Sequence, residues 1–218
     1  MVSPLCQNGH MTRGLPEYHQ RIADQNRTAV LAAATDLFLE RGYDQTSLAR
    51  VAQLAGVSKA TLFKQFPTKA TLFESTVLAV EQPADRVTTI PAPGDLQAGL
   101  LAFGRQYAEL LTRTRTVDLM RLLIAEAPRF PELGERTFDF GTLPTLDALN
   151  RYLRAELDIG SVTADAAEFA APQLLGMIAS AVFWPRLVHV GWAIDEAEIR
   201  RSVDEAVQTI VARYGISP

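Results

Sequence analysis

The stretch AGVSKATLFKQF, residues 55–66, sets Gly56 between two helical patterns that are each too short to persist alone. Upstream, Leu48, Val51, Ala52 and Ala55 recur at intervals of three and four; downstream, Leu62 and Phe66 do the same. Such segments fold only against each other, and two short helices joined by a glycine-containing turn make a helix-turn-helix. Ala52 is small where the two must approach, Gly56 accommodates a turn of positive φ, and Val57, Leu62 and Phe66 anchor the angle. With Leu62 and Phe66 turned inward, Lys59, Ala60, Thr61, Phe63 and Lys64 remain on the outer side, the face that such a motif inserts into a major groove. Lysine bonds guanine O6 and N7 or a phosphate, threonine brings a hydroxyl and a methyl, and alanine permits close approach. Ser47 and Ser58 stand as N-caps, and Lys69 opens the next helix, so backbone N–H groups and charge are expected to meet phosphates. A merely solvated face is the alternative; the caps, glycine and anchors in one register favour DNA.

The rest of the chain repeats the same period, and strand-like alternation is absent, so the fold class is all-α: an N-terminal three-helix helix-turn-helix domain and a C-terminal helical bundle. Val30, Ala34, Leu37 and Phe38 predict a helix over 26–41, stopped by Gly42. Further helices are expected over 47–55, from Ser58, over 69–81, 95–113, 116–127, 142–157, 163–188 and 195–214. Residues 82–94 gather three prolines and a glycine and read as a connection. The expected organisation is a flexible tail over 1–19, a DNA-binding domain over 20–68 and a ligand-binding and dimerisation domain over 69–218.

Charge sharpens this division. Residues 1–75 carry eight Lys/Arg against six Asp/Glu, and all three lysines of the chain, Lys59, Lys64 and Lys69, fall within eleven positions, while the whole chain has a net charge of −4. A polyanion is therefore expected to dock on the first part. At 48% hydrophobic residues, 218 residues bury a sizeable core. No run has the ~18 apolar residues of a membrane span, and no basic segment leads into an apolar stretch at the N-terminus, so a cytoplasmic protein is expected. Cys6 stands alone; His10, His19 and His189 have no ligand spacing or nucleophile nearby, and no glycine-rich phosphate loop occurs, so neither enzyme nor cofactor is expected. A helical carrier or interaction module without DNA binding is the remaining alternative, and the groove-facing lysines speak against it.

The stretch TAVLAAATDLFLERGYDQTSLARVAQLAGVSKATLFKQFPTKATLFESTV resembles the N-terminal domain of the TetR family of bacterial transcriptional regulators, one-component sensors that bind operators as homodimers. The resemblance implies that Lys59, Ala60, Thr61 and Lys64 face bases or phosphates, and that Ser47 and Lys69 hold the DNA backbone. Phe63 departs from it, since members commonly carry tyrosine there. RLLIAEAPRFPEL, residues 121–133, is similar to the AefR-like branch, which joins this head to a ligand-sensing helical body.

The body carries Phe103, Tyr107, Met120, Leu123, Ile124, Leu149, Tyr152, Met177 and Trp184 on faces expected to be interior, more aromatic and Met-rich than stability requires. They are the candidates for holding an apolar or aromatic effector, with dry packing as the alternative for each. Phe169, Gln173, Gly176, Ser180 and Phe183 offer a close-approach surface on one long helix, and Val203, Val207 and Ile210 a stripe on the last. The resemblance implies that these helices pair with their symmetry mates. The expected partners are a palindromic double-stranded operator, a second copy of the chain and an effector, with no membrane and no metal.

Overall fold

The computed structural model describes residues 14–81, 91–137 and 144–216, which form α-helices in two compact units divided at Leu72 and Phe73. The first unit holds α1 (Gly14–Gln45), α2 (Leu48–Leu54), α3 (Lys59–Gln65) and the start of α4 (Lys69–Glu81). Its core is the predicted one: Val30, Ala34, Leu37 and Phe38 of α1 close over Val51, Ala52, Leu62 and Phe66. Each large side chain fully buried in this way contributes roughly 1.5–3 kcal/mol, which is what short helices need. Helix α1 begins at Gly14, within the expected tail, and residues 1–13 lie outside those described.

The expected stop at Gly42 is a break in α1, where φ is 80°. Beyond it the chain folds back: Tyr43 stacks on Phe38 with ring centroids 5.8 Å apart, and the buried Thr46 hydroxyl donates to the Gly42 carbonyl at 2.8 Å. The Lys69 ammonium donates to the carbonyls of Tyr43 at 2.8 Å and Asp44 at 3.0 Å and lies over the Tyr43 ring. A cation on carbonyls at a helix end satisfies orphan acceptors and the helix dipole together. Lys69 thus fastens the first turn of α4 to the end of α1.

The second unit contains α5 (Leu96–Thr112), α6 (Thr114–Glu126), α7 (Pro131–Thr137), α8 (Pro144–Asp158), α9 (Ala166–Val182), α10 (Trp184–Val188) and α11 (Glu196–Tyr214). Helix α9 is central and packs on α5, α8 and α11. The helix expected over 163–188 is interrupted at Phe183, because Pro185 has no N–H to continue the ladder and its ring crowds the preceding turn. The detached α10 is held by Arg121 of α6, whose guanidinium donates to the carbonyls of Leu187, at 3.2 Å, and Arg186. Arg186 donates in turn to the carbonyl of Thr112 at the end of α5. Short α7, which has no apolar period, was not expected; it buries Leu133.

Two sequence expectations are corrected. Val203, Val207 and Ile210, expected at a dimer surface, are at most 1% exposed and lie in the core shared with α5 and α9, and Phe183 is buried in the same cluster. An apolar stripe shows that a helix face is covered, not which helix covers it. Ile124 and Trp184, expected to line the interior, are 52% and 57% exposed. We therefore expect Val207→Asp to unfold the chain, with a loss of about 3–5 kcal/mol for an unpaired buried charge. Urea denaturation followed by circular dichroism checks this; a stable, folded monomer would contradict the core placement.

Candidate nucleic-acid interface

The outer face of α3 depends on backbone bonds that its sequence dictates. Helix α2 starts at Ser47, whose Oγ accepts the Arg50 N–H at 3.3 Å, and ends in a glycine-closed turn. There the Val57 N–H donates to the Ala52 carbonyl at 3.1 Å and the Gly56 N–H to the Gln53 carbonyl at 3.3 Å, with Gly56 at φ 67°. These paired bonds form a Schellman closure, which needs a left-handed residue at the position Gly56 occupies. Two residues later Ser58 caps α3: its Oγ accepts the Thr61 N–H at 3.0 Å and contacts the Thr61 hydroxyl at 2.8 Å. The turn and the cap fix both ends of the four-residue link, so α3 leaves α2 at a set angle.

Helix α3 buries Leu62, and Phe66 at its end is closed to solvent, with the Arg27 guanidinium 4.9 Å from its ring centroid. Lys59, Ala60 and Lys64 are exposed, Thr61 is half-buried, and Phe63 is 48% exposed, so its ring is not a core residue. Lys59, Ala60, Phe63 and Lys64 make a continuous outer strip, since residues three and four apart are neighbours on a helix. Two cations, a small residue and an aromatic edge are suited to phosphates, close groove approach and the sugar wall. Lys69 is the exception among the expected contacts. Its ammonium holds the Tyr43 and Asp44 carbonyls, so it also serves the scaffold.

Sequence reasoning passed over Arg50. It is exposed on α2, and its Nη1 donates to Gln53 Oε1 at 2.8 Å. That bond aligns the guanidinium without neutralising it, whereas Arg41 lies 3.6 Å from the carboxylate of Glu40. The signal was present as a cation three residues after the Ser47 cap.

The second unit brings some of the expected effector residues together. Phe103, Leu149 and Tyr152 are buried in one cluster, with the Phe103 and Tyr152 rings 5.5 Å apart, and Tyr107 and Met120 pack against it. Leu123 is buried on α6. Met177 packs against the same cluster and also lines a surface groove between α9 and α11 with Ala181, Arg201, Glu205 and Thr209. On α9, Phe169, Gln173, Gly176 and Ser180 form an exposed row, and a methyl group at Gly176 would meet open space. Gln173 Oε1 accepts the Tyr214 hydroxyl at 2.9 Å. Among the described residues no cluster of metal-ligating side chains occurs, and no helix is long and apolar enough to cross a membrane.

Comparison with known proteins agrees with this division. Residues 30–76 match the family of bacterial regulatory proteins, tetR family, and residues 98–216 match the AefR-like transcriptional repressor, C-terminal domain. The DNA-binding transcriptional repressor TetR of Mycobacteroides abscessus is 27% identical over 189 residues, 84% of this chain and 92% of its own length. Other curated relatives align over about half of this chain and about half of their own length. A TetR-family regulator of Mesorhizobium loti superposes with a TM-score of 0.72 at 29% identity, covering 89% of this chain and 98% of that one. The flavonoid-responsive regulator FrrA superposes with a TM-score of 0.68 at 28% identity, covering 89% and 100%. With a capped reading helix in its first unit and the AefR-like domain matched over more than half its length, this chain belongs to the TetR family of bacterial transcriptional regulators.

Proposed function

We propose that two copies of this chain bind a palindromic operator through α3, repress transcription by occluding a promoter, and release the DNA when a small apolar or aromatic molecule occupies the body. The observation that carries the reading is the exposed strip Lys59, Ala60, Phe63 and Lys64 on a helix whose angle is set by the Gly56 turn and the Ser58 cap. Thr61 sits at its edge, and Ser47 and Arg50 add backbone contacts from α2. A two-fold dimer matches two half-sites about 34–36 Å apart, one helical turn of DNA, or a multiple of that spacing. The cytoplasm is the compartment such a protein works in.

Phe103, Tyr107, Met120, Leu123, Leu149 and Tyr152 are the residues we assign to the effector. FrrA is described as flavonoid-responsive, which supports an aromatic ligand class for this body. The effector acts by its differential affinity: a molecule that binds the conformation with wrongly spaced heads better than the DNA-bound one shifts the population off the operator.

For the second copy we assign the row Phe169, Gln173, Gly176 and Ser180 together with the rim of the α9–α11 groove. Arg201 and Glu205 stand one turn apart on that rim. A two-fold axis between them sets each Arg201 against the other copy's Glu205, so the surface is complementary to itself.

Three outcomes test the reading. Lys59→Ala or Lys64→Ala weakens operator binding by about 1–3 kcal/mol if the lysine reads a base; a phosphate role instead weakens all sequences alike and lowers the salt slope by about one unit. Binding isotherms across a salt series separate these cases, and no change in either variant would remove α3 as the reader. Phe63→Tyr, which adds a hydroxyl at an exposed rim, tightens binding on specific and scrambled DNA by roughly 0.5–1.5 kcal/mol with an unchanged salt slope. Finally, Gly176→Arg or Arg201→Glu drives the protein toward monomer in sedimentation, while the double swap Arg201→Glu with Glu205→Arg restores the dimer. A monomeric wild-type chain at micromolar concentration would contradict the interface.

A further inference from the structure

Helix α8 buries a carboxylate that its packing does not require. Glu156 is fully closed to solvent; its Oε1 accepts the Gly94 N–H at 3.0 Å, while Oε2, equally buried, has no hydrogen-bond partner among the described residues. No Lys, Arg or His pairs with it among those residues. One turn earlier, the Tyr152 hydroxyl donates to the Asp95 carbonyl at 3.0 Å. Gly99 makes room for this reach, since a methyl group there would lie 2.0 Å from the Tyr152 oxygen. Burial, and then the neighbouring Glu156 and Asp95, push the Tyr152 phenol above its ordinary range, so it is a neutral donor already in use. Tyr152 and Glu156 therefore clasp the two residues that lead into α5.

The clasp alone does not explain a glutamate. Glutamine would accept the same Gly94 N–H without burying a charge, and a buried charge without a partner is costly. An oxygen with unused lone pairs, on a carboxyl whose neighbour Tyr152 already donates its hydroxyl to Asp95 and packs against Phe103, calls for a donor that is also positive. We propose that Glu156 Oε2 anchors the head group of an organic ammonium, with the aromatic pair taking the apolar body of the same molecule. This deepens the effector-responsive reading and rests on it: the apolar or aromatic effector carries a positive head group.

The geometry also supplies the coupling. Glu156, Tyr152 and Phe103 are all closed to solvent, so a ligand enters only when α8 and the lead-in to α5 part. Binding then selects the parted state, and apparent affinity falls by the fraction of molecules in that state. The segment released, Gly94 and Asp95, precedes α5 directly, and Asp95 caps that helix through the Ala98 N–H at 2.9 Å.

Three probes of equal shape and different charge test the assignment: 4-phenylbutylamine, 4-phenylbutan-1-ol and 4-phenylbutanoate, titrated into the full chain by calorimetry at pH 7.5 without DNA. The amine is expected to bind at least tenfold more tightly than the alcohol, and the carboxylate most weakly. E156Q, which keeps an acceptor for Gly94, is expected to erase the preference of amine over alcohol. Equal binding of amine and alcohol, or an amine preference that survives in E156Q, would overturn the proposal. If E156Q fails to fold, the wild-type series still decides. Because these titrations contain no DNA, they are read independently of operator binding. Amine binding that never releases an operator would overturn the coupling and leave the subsite standing.

Discussion

The bond from the Val57 N–H to the Ala52 carbonyl closes α2 and turns the chain toward α3, and the DNA-reading face depends on it. A helix of seven residues has little stability of its own, so α3 exists because Leu62 and Phe66 are buried against α1 and α2. That burial is available only if α3 leaves α2 at one angle. Gly56, at φ 67°, admits the turn, and the Ser58 cap ends the link two residues later. Once the angle is set, Lys59, Ala60, Phe63 and Lys64 have nowhere to point except outward. The same unit is closed from its other side by Lys69, whose ammonium bridges the start of α4 to the carbonyls that end α1. The exposed lysines of the outer α3 face and the lysine that holds the scaffold are thus only a few residues apart.

The body is organised on a different principle. Helix α9 packs against four neighbours, so its apolar residues cover more than one face and its outer row is left, Phe169 apart, to small and polar side chains. Around this core the irregular parts are tied down by side chains acting on backbone. Arg121 and Arg186 hold α10 and the end of α5, and Tyr152 and Glu156 hold the approach to α5. Charged groups placed on helix ends in this way are the points at which a ligand of matching charge can compete.

Most of the first unit was legible in the sequence because its signals are local. The Gly56 turn, the Ser47 and Ser58 caps and the inward Leu62 and Phe66 each follow from spacing within a dozen residues. The scaffold bonds of Lys69 were not legible, because its partners, the carbonyls of Tyr43 and Asp44, lie about 25 positions away and carry no sequence signature. In the body, the long helices were legible, short α7 and α10 were not, and neither were helix neighbours. Val207 and Ile124 both sit on apolar periods, yet one is in the core and the other on the surface. Glu156 shows the same limit: in sequence it is one more acid on an amphipathic helix, and only packing reveals that it is buried.

The central claim, that α2 and α3 are the DNA-reading elements, is tested most directly by amide hydrogen exchange on the intact protein, with and without a duplex recovered by selection. Short helices open locally and exchange readily, so a bound duplex that covers them must slow exchange over residues 47–64. The account predicts protection concentrated there, with Phe63 and Lys64 among the affected amides. Protection confined to residues 96–214, with 47–64 unchanged under saturating duplex, would contradict it.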